Sequence, residues 1–179
     1  MKAVRIVLAV ALLIGVALPE LSRYRAERGL RRLITAAMVA ASGRVPPQTA
    51  GALFREVSQR LEELGGAMPG DARPRMFAAS AAMLAGNHDR AIELYMAALG
   101  HGERGEIDVN LGLAFARLED SRAEAMFVRA VWLSPALIDS VPETYRGRVR
   151  QIIARRSAPG GSFDPPALPV LPIRSASHD

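Results

Sequence analysis

The sequence predicts an all-α protein: an N-terminal apolar helix, a short array of helical hairpins, a capping helix and a proline-rich tail. Three observations carry that expectation. Between Ala79 and Pro135, Ala91, Tyr95 and Ala98 reappear as Ala123, Phe127 and Ala130, all at one offset (123 − 91, 127 − 95, 130 − 98). Half the residues are hydrophobic but only 5% are aromatic, so the core must be built from Ala, Leu, Val, Ile and Met, which favours helices over sheets. Elsewhere the apolar residues return every third or fourth position, the period of a helix face.

The chain opens with Lys2 and Arg5, followed by residues 6–18 without a polar side chain and then Pro19-Glu20. A helix over 6–18 would span about 20 Å; extending it to 3–21, with Arg5 snorkelling, gives about 28 Å against a hydrocarbon core of about 30 Å. We therefore expect a signal anchor or transmembrane helix over 1–22. A cleaved export signal has the same form, but no small-x-small site follows Ala17, so the uncleaved anchor is preferred and an exported soluble chain is an alternative. The basic start points to a retained cytoplasmic end, whereas the arginines beyond the apolar run pull the other way. The expected location is a single pass through the cell inner membrane with the remaining chain on the periplasmic, extracytoplasmic side.

Residues 23–70 read as amphipathic helices. Leu30, Leu33, Ile34, Ala37, Met38 and Ala41 form one stripe, and Arg23, Arg25, Arg28, Arg31 and Arg32 lie off it, suited to lipid phosphates or simply to solvent. Ser42-Gly43-Arg44-Val45-Pro46-Pro47 breaks the helix. The next one carries Leu53, Phe54, Val57, Leu61 and Leu64 on one side. The last three precede Ala91, Tyr95 and Ala98 by a constant offset (91 − 57, 95 − 61, 98 − 64), so a degenerate repeat is expected here. Residues 65–71 read as a loop.

Over residues 71–136 two hairpins follow. Gly86-Asn87-His88-Asp89 makes the turn of the first, and Glu119-Asp120-Ser121 that of the second. Small residues such as Ala91 and Ala98 suit helix crossings, and Tyr95 the gap between them. Leu111, Gly112, Phe115, Ala123, Phe127, Ala130 and Pro135 together resemble the tetratricopeptide repeat. The second hairpin departs from that pattern in a shorter turn and in Asp108, where an aromatic is usual. The first keeps Gly86, Ala91, Tyr95 and Ala98 but has Ala78, Ala79 and Ala82 for Leu, Gly and the aromatic. The resemblance implies a right-handed solenoid of helical hairpins that binds protein partners, as anchored repeats do in secretion or surface-polymer export. It further implies that the first helix of each hairpin lines the groove, which makes Arg75, Ser80, Asn110 and Arg117 the candidate partner-binding residues. Asn110 matches a position that in some members clamps a peptide carboxylate, but the accompanying basic residues are not matched.

Residues 137–156 read as a capping helix with Tyr145, Val149, Ile152 and Ile153 on its inner side and arginines outward. Residues 157–179 are punctuated by Pro159, Pro165, Pro166, Pro169 and Pro172 and read as a disordered tail, although Leu168-Pro169-Val170-Leu171-Pro172-Ile173 is apolar enough to serve as a docking peptide.

Basic side chains outnumber acidic ones by 23 to 18, for a formal charge of +5. Their clustering at 23–32 and 146–156 fits a basic zone beside a membrane; a basic helical nucleic-acid-binding protein is the alternative reading. The absence of cysteine excludes disulfides and thiolate chemistry. His88, His101 and His178 have no second ligand at helical spacing, and no phosphate loop or nucleophile elbow is present. We therefore expect no enzyme activity, no catalytic residues, no metal, no cofactor and no small-molecule substrate. The expected partners are proteins in or near the membrane.

Overall fold

The computed structural model describes residues 2–158, 164 and 166–168, with side chains from Glu20 onward. Among them the regular elements are all helical: α1 (Lys2–Ala41), α2 (Pro47–Ala67), α3 (Arg73–Leu84), α4 (His88–Leu99), α5 (Gly105–Arg117), α6 (Arg122–Leu133), a 3-10 helix (Pro135–Ser140) and α7 (Glu143–Arg156). The chain divides into two compact units, residues 1–87 and 88–179.

In the first unit α1 is continuous through Pro19, so the apolar start and the amphipathic stretch share one helix. The side chains on which the anchor expectation rests lie outside the described residues. Among the described residues no helix is long and apolar enough to cross a membrane. The inner side of α1 differs from the expected stripe. Leu30 and Ala40 are buried while Met38 is 68% exposed, because it is the small Ala40 that packs with Ala50 and Phe54 of α2, flanked by Ala37, Val45 and Leu53.

Pro47 opens α2, where its missing N–H costs no helical bond. The helix then continues through Gly65 and Gly66, which the sequence reading placed in a loop. Gly65 is buried beside Pro74 and the aliphatic stem of Arg75, so packing against α3 offsets the weak helix propensity of the glycine pair. α3 offers almost nothing but alanine to the core, with Ala78, Ala79, Ala81 and Ala82 all buried. One buried polar link joins the pair: the Ser58 hydroxyl donates to the Ala78 carbonyl at 2.9 Å.

In the second unit α5 packs against α4 and α6, and α7 covers α6. Ala91, Tyr95 and Ala98 of α4 are buried, as are Ala123, Phe127 and Ala130 of α6. Gly112 is indispensable to that packing, because a Cβ there would stand 2.5 Å from the Phe127 ring. On its other flank Phe127 meets Tyr145 of α7 at 4.9 Å between centroids, tilted by 52°. The 3-10 helix after Pro135 is an element the sequence reading did not expect. Arg146 holds it from α7, donating to the carbonyls of Val141 at 2.7 Å and Asp139 at 2.8 Å.

The two predicted turns close alike. Gly86 and Glu119 both have positive φ, 80° and 55°. The following N–H, of Asn87 or Asp120, donates back to the carbonyl of Ala82 or Phe115, each at 2.9 Å. This is the six-to-one bond of a Schellman ending, and its donor and acceptor recur at the same offset (120 − 87, 115 − 82). That offset is one greater than the offset of the second helices (123 − 91), so the missing residue falls between Asp120 and Ala123.

Candidate functional site

The four residues expected to contact a partner fall on two helices, one in each unit. On α5, Asn110 and Arg117 are seven positions apart, which returns them to nearly the same face about 10 Å apart along the axis. Asn110 is half-buried and Arg117 exposed. On α3, Arg75 and Ser80 are five positions apart, about 140° around the helix, so they do not share a face. Ser80 turns its hydroxyl back to the Met76 carbonyl at 3.0 Å, the local bond that serine makes inside helices. The Arg75 stem covers Gly65. Of the four, only the α5 pair forms a coherent surface.

A second constellation was not anticipated from the sequence. Asp108 of α5 and Arg129 of α6 are 0% and 2% exposed, with Arg129 Nε 3.2 Å from Asp108 Oδ2. That separation is an ion pair, but the N–H is not aimed as a hydrogen bond, and neither carboxylate oxygen of Asp108 has a hydrogen-bond partner among the described residues. Burial pushes the Asp108 carboxyl up to about 6; the neighbouring guanidinium pulls it down and Glu103 adds to the rise. Arg129 spends its remaining donors outward. Its Nη2 pairs with Glu103 from the loop before α5, and its Nη1 donates to the backbone carbonyl of Pro166 at 2.5 Å.

That last bond brings a tail segment onto the helices. Asp164 and residues 166–168 lie within the region expected to be a disordered tail, and the Arg156 guanidinium donates to the Asp164 carbonyl at 3.3 Å. Beside Pro166 is a cavity of about 260 Å³ lined by Ser121, Glu124, Ala125, Val128, Ile152 and Arg156. Its rim is braced by Arg148 of α7, 2.9 Å from Glu124 of α6.

At two helix starts an aspartate and an arginine two positions later form the same device. Asp71 accepts the Arg73 backbone N–H at 2.9 Å, and Asp120 that of Arg122 at 2.8 Å. In each case the arginine side chain folds back onto the same carboxylate. Arg122 also lies over the Phe115 ring, 4.4 Å from its centroid, and its hydrogen bonds hold the Asp120 carboxyl below the usual range. Arg73 reaches a second carboxylate, Glu27 of α1, at 2.9 and 3.1 Å. These pairs cap helices and tie elements together, and no ligand is needed to explain them.

The one signal for the buried pair was Asp108 itself. It stands three and four positions before Leu111 and Gly112, on an apolar stripe, so its carboxylate needs a cation from a neighbouring helix. Nothing in the local pattern of α6 singles out Arg129 as that cation. The class of protein the coordinates define is an all-helical, repeat-like one with a buried ion pair and a groove between its last two α-helices. No family model, curated protein or solved structure matches the chain.

Proposed function

We propose that this chain is a membrane-anchored adaptor of the tetratricopeptide type, which holds protein partners in a cell-envelope assembly of the secretion or surface-polymer export kind. The observation that carries the reading is the repeated turn. Two helix–turn–helix stretches end their first helix with the same backbone closure, and each second helix buries a small–aromatic–small trio. Such hairpins nest through small residues and leave one side free for another polypeptide. On α5 that side carries Asn110 and Arg117. The membrane part of the reading rests on the apolar run of residues 6–18 and on Arg23, Arg25, Arg28, Arg31 and Arg32, all exposed on α1 just beyond it. Each arginine beside an anionic surface adds on the order of 1 kcal/mol.

Two measurements test the two halves separately. Fractionation combined with protease access to the C-terminal tail is expected to place the full chain in the membrane, with the tail cleaved only from the extracytoplasmic side. Recovery in the soluble fraction at reduced mass would replace the anchor with a cleaved signal. Crosslinking in cells followed by purification is expected to lose its partners when Asn110→Ala and Arg117→Glu are combined. Retention of every partner would sink the α5 surface, and recovery of salt-sensitive nucleic acid instead would favour the basic nucleic-acid reading.

A further inference from the structure

We propose that the groove between α6 and α7 is a recognition site for proline-rich peptide segments, and that the chain's own segment around Pro166 holds it in cis until a partner's segment displaces it. Two arginines donate to the bound segment: Arg129 to the Pro166 carbonyl and Arg156 to the Asp164 carbonyl. Ala125, Val128 and Ile152 form the apolar part of the groove wall, and Ser121 and Glu124 the polar part.

Both of these hydrogen bonds end on main-chain carbonyls beside an apolar wall, which suits a chain with free carbonyls and few N–H groups. Proline is that residue, since it keeps its carbonyl, lacks the N–H and presents a compact apolar ring. The local sequence, Asp164-Pro165-Pro166-Ala167-Leu168, fits that description. The two accepted carbonyls are two positions apart in the sequence, so two arginines read main-chain acceptors on either side of Pro165. Both contacts are to main chain, so they do not require this segment in particular; any chain of the same chemistry presents the same acceptors. Arg129 is held in place by Asp108 and Glu103, so its outward donor is oriented before any segment arrives, which lowers the cost of binding. This site is separate from the α5 surface on which the adaptor reading rests, and either can fail alone.

The test uses the full chain in mild detergent and a fluorescent peptide copying residues 162–173. Binding to the intact chain is expected to be weak. It should strengthen by roughly tenfold or more when Pro165→Gly and Pro166→Gly loosen the internal segment, a factor worth about 1.4 kcal/mol. In that loosened chain Arg156→Gln is expected to weaken binding several-fold without lowering the melting temperature, and a peptide with its prolines changed to alanine should bind several-fold less well. Equal binding to intact and loosened chains would overturn the internal occupancy, and equal binding of the alanine peptide would overturn the proline selectivity. Concentration-dependent dimers of the intact chain that the peptide dissolves would assign the occupant to a second copy and overturn docking in cis.

Discussion

The two compact units bring helices close by different means. In residues 1–87 the approach is over alanine: Ala78, Ala79, Ala81 and Ala82 of α3 are buried, each adding little area, and the buried polar link between α2 and α3 is the Ser58 hydroxyl on a backbone carbonyl. In residues 88–179 the approach is a ring on a bare backbone, Phe127 against Gly112, and the polar link is the buried pair of Asp108 and Arg129. A face of alanines tolerates small displacements, because few atoms interlock. A phenyl ring seated where a Cβ would be, and a charge with its partner inside the core, tolerate almost none. The second unit should therefore carry the most severe single-site effects.

The largest is expected at Arg129. Arg129→Met leaves the Asp108 carboxylate buried without its cation and should cost about 3–5 kcal/mol in urea unfolding. Adding Asp108→Leu should recover most of that loss, since an apolar pair replaces an ionic one of similar volume. A single variant with less than about 1 kcal/mol of effect would mean that the pair is solvated.

Gly112→Ala comes next, at about 1–3 kcal/mol, because Phe127 is fully buried and cannot retreat. The position one repeat offset earlier is Ala79 of α3, where the reverse change, Ala79→Gly, should cost only about 1 kcal/mol of helix propensity. Equal costs would erase the contrast between ring-on-glycine and alanine packing.

The buried carboxyl also sets a pH dependence. Asp108 stands at about 6 in the folded chain, above its ordinary value, so between these values the folded state holds a proton that the unfolded state has released. Its contribution is therefore fully present below the ordinary carboxylate range and is lost as pH rises through about 6. Unfolding followed from about pH 7 down to about pH 5 should show stability rising by on the order of 1–2 kcal/mol, and Asp108→Asn should flatten the profile. A wild-type profile that falls over the same range would contradict the burial of Asp108. Asp120 acts oppositely and at lower pH: Arg122 depresses it, so its contribution is lost as pH falls through that depressed value.

The smallest effects belong to the first unit. Ser58→Ala should cost about 1 kcal/mol. Arg73→Gln, at a side chain 45% exposed between Asp71 and Glu27, should cost less than about 1 kcal/mol and vanish in high salt. If Arg73 proved more costly than Arg129, the contrast between the units would be reversed.

Much of this was legible beforehand. Helix starts at Pro47 and near Arg73, the turns at 86–87 and 119–121, and the stripe of α7 all follow from local rules about proline, glycine and helical spacing, whereas His88 and Asp89, read as part of the first turn, already belong to α4. The stripe of α1 was not legible in detail, because Met38 and Ala40 are both apolar and only the position of Phe54 chooses between them. Gly65 and Gly66 read as a loop, since their helical state depends on Pro74 and Arg75 across the interface. The α5 pair was half legible: the spacing of Asn110 and Arg117 implies a shared face, while Arg75 and Ser80 never had that spacing.

By itself the sequence determined the helical class, the recurrence of the small–aromatic–small trio and the amphipathic faces. These depend on residues near one another along the chain, or on one local pattern written twice, and the helical period converts spacing directly into direction. Only the tertiary structure decided which cation answers Asp108, that the Phe127 ring sits on Gly112, and that a proline segment lies across Arg129. Each of these joins residues from separate elements, and which side chains meet over such separations is set by how the helices cross, a quantity no local pattern contains.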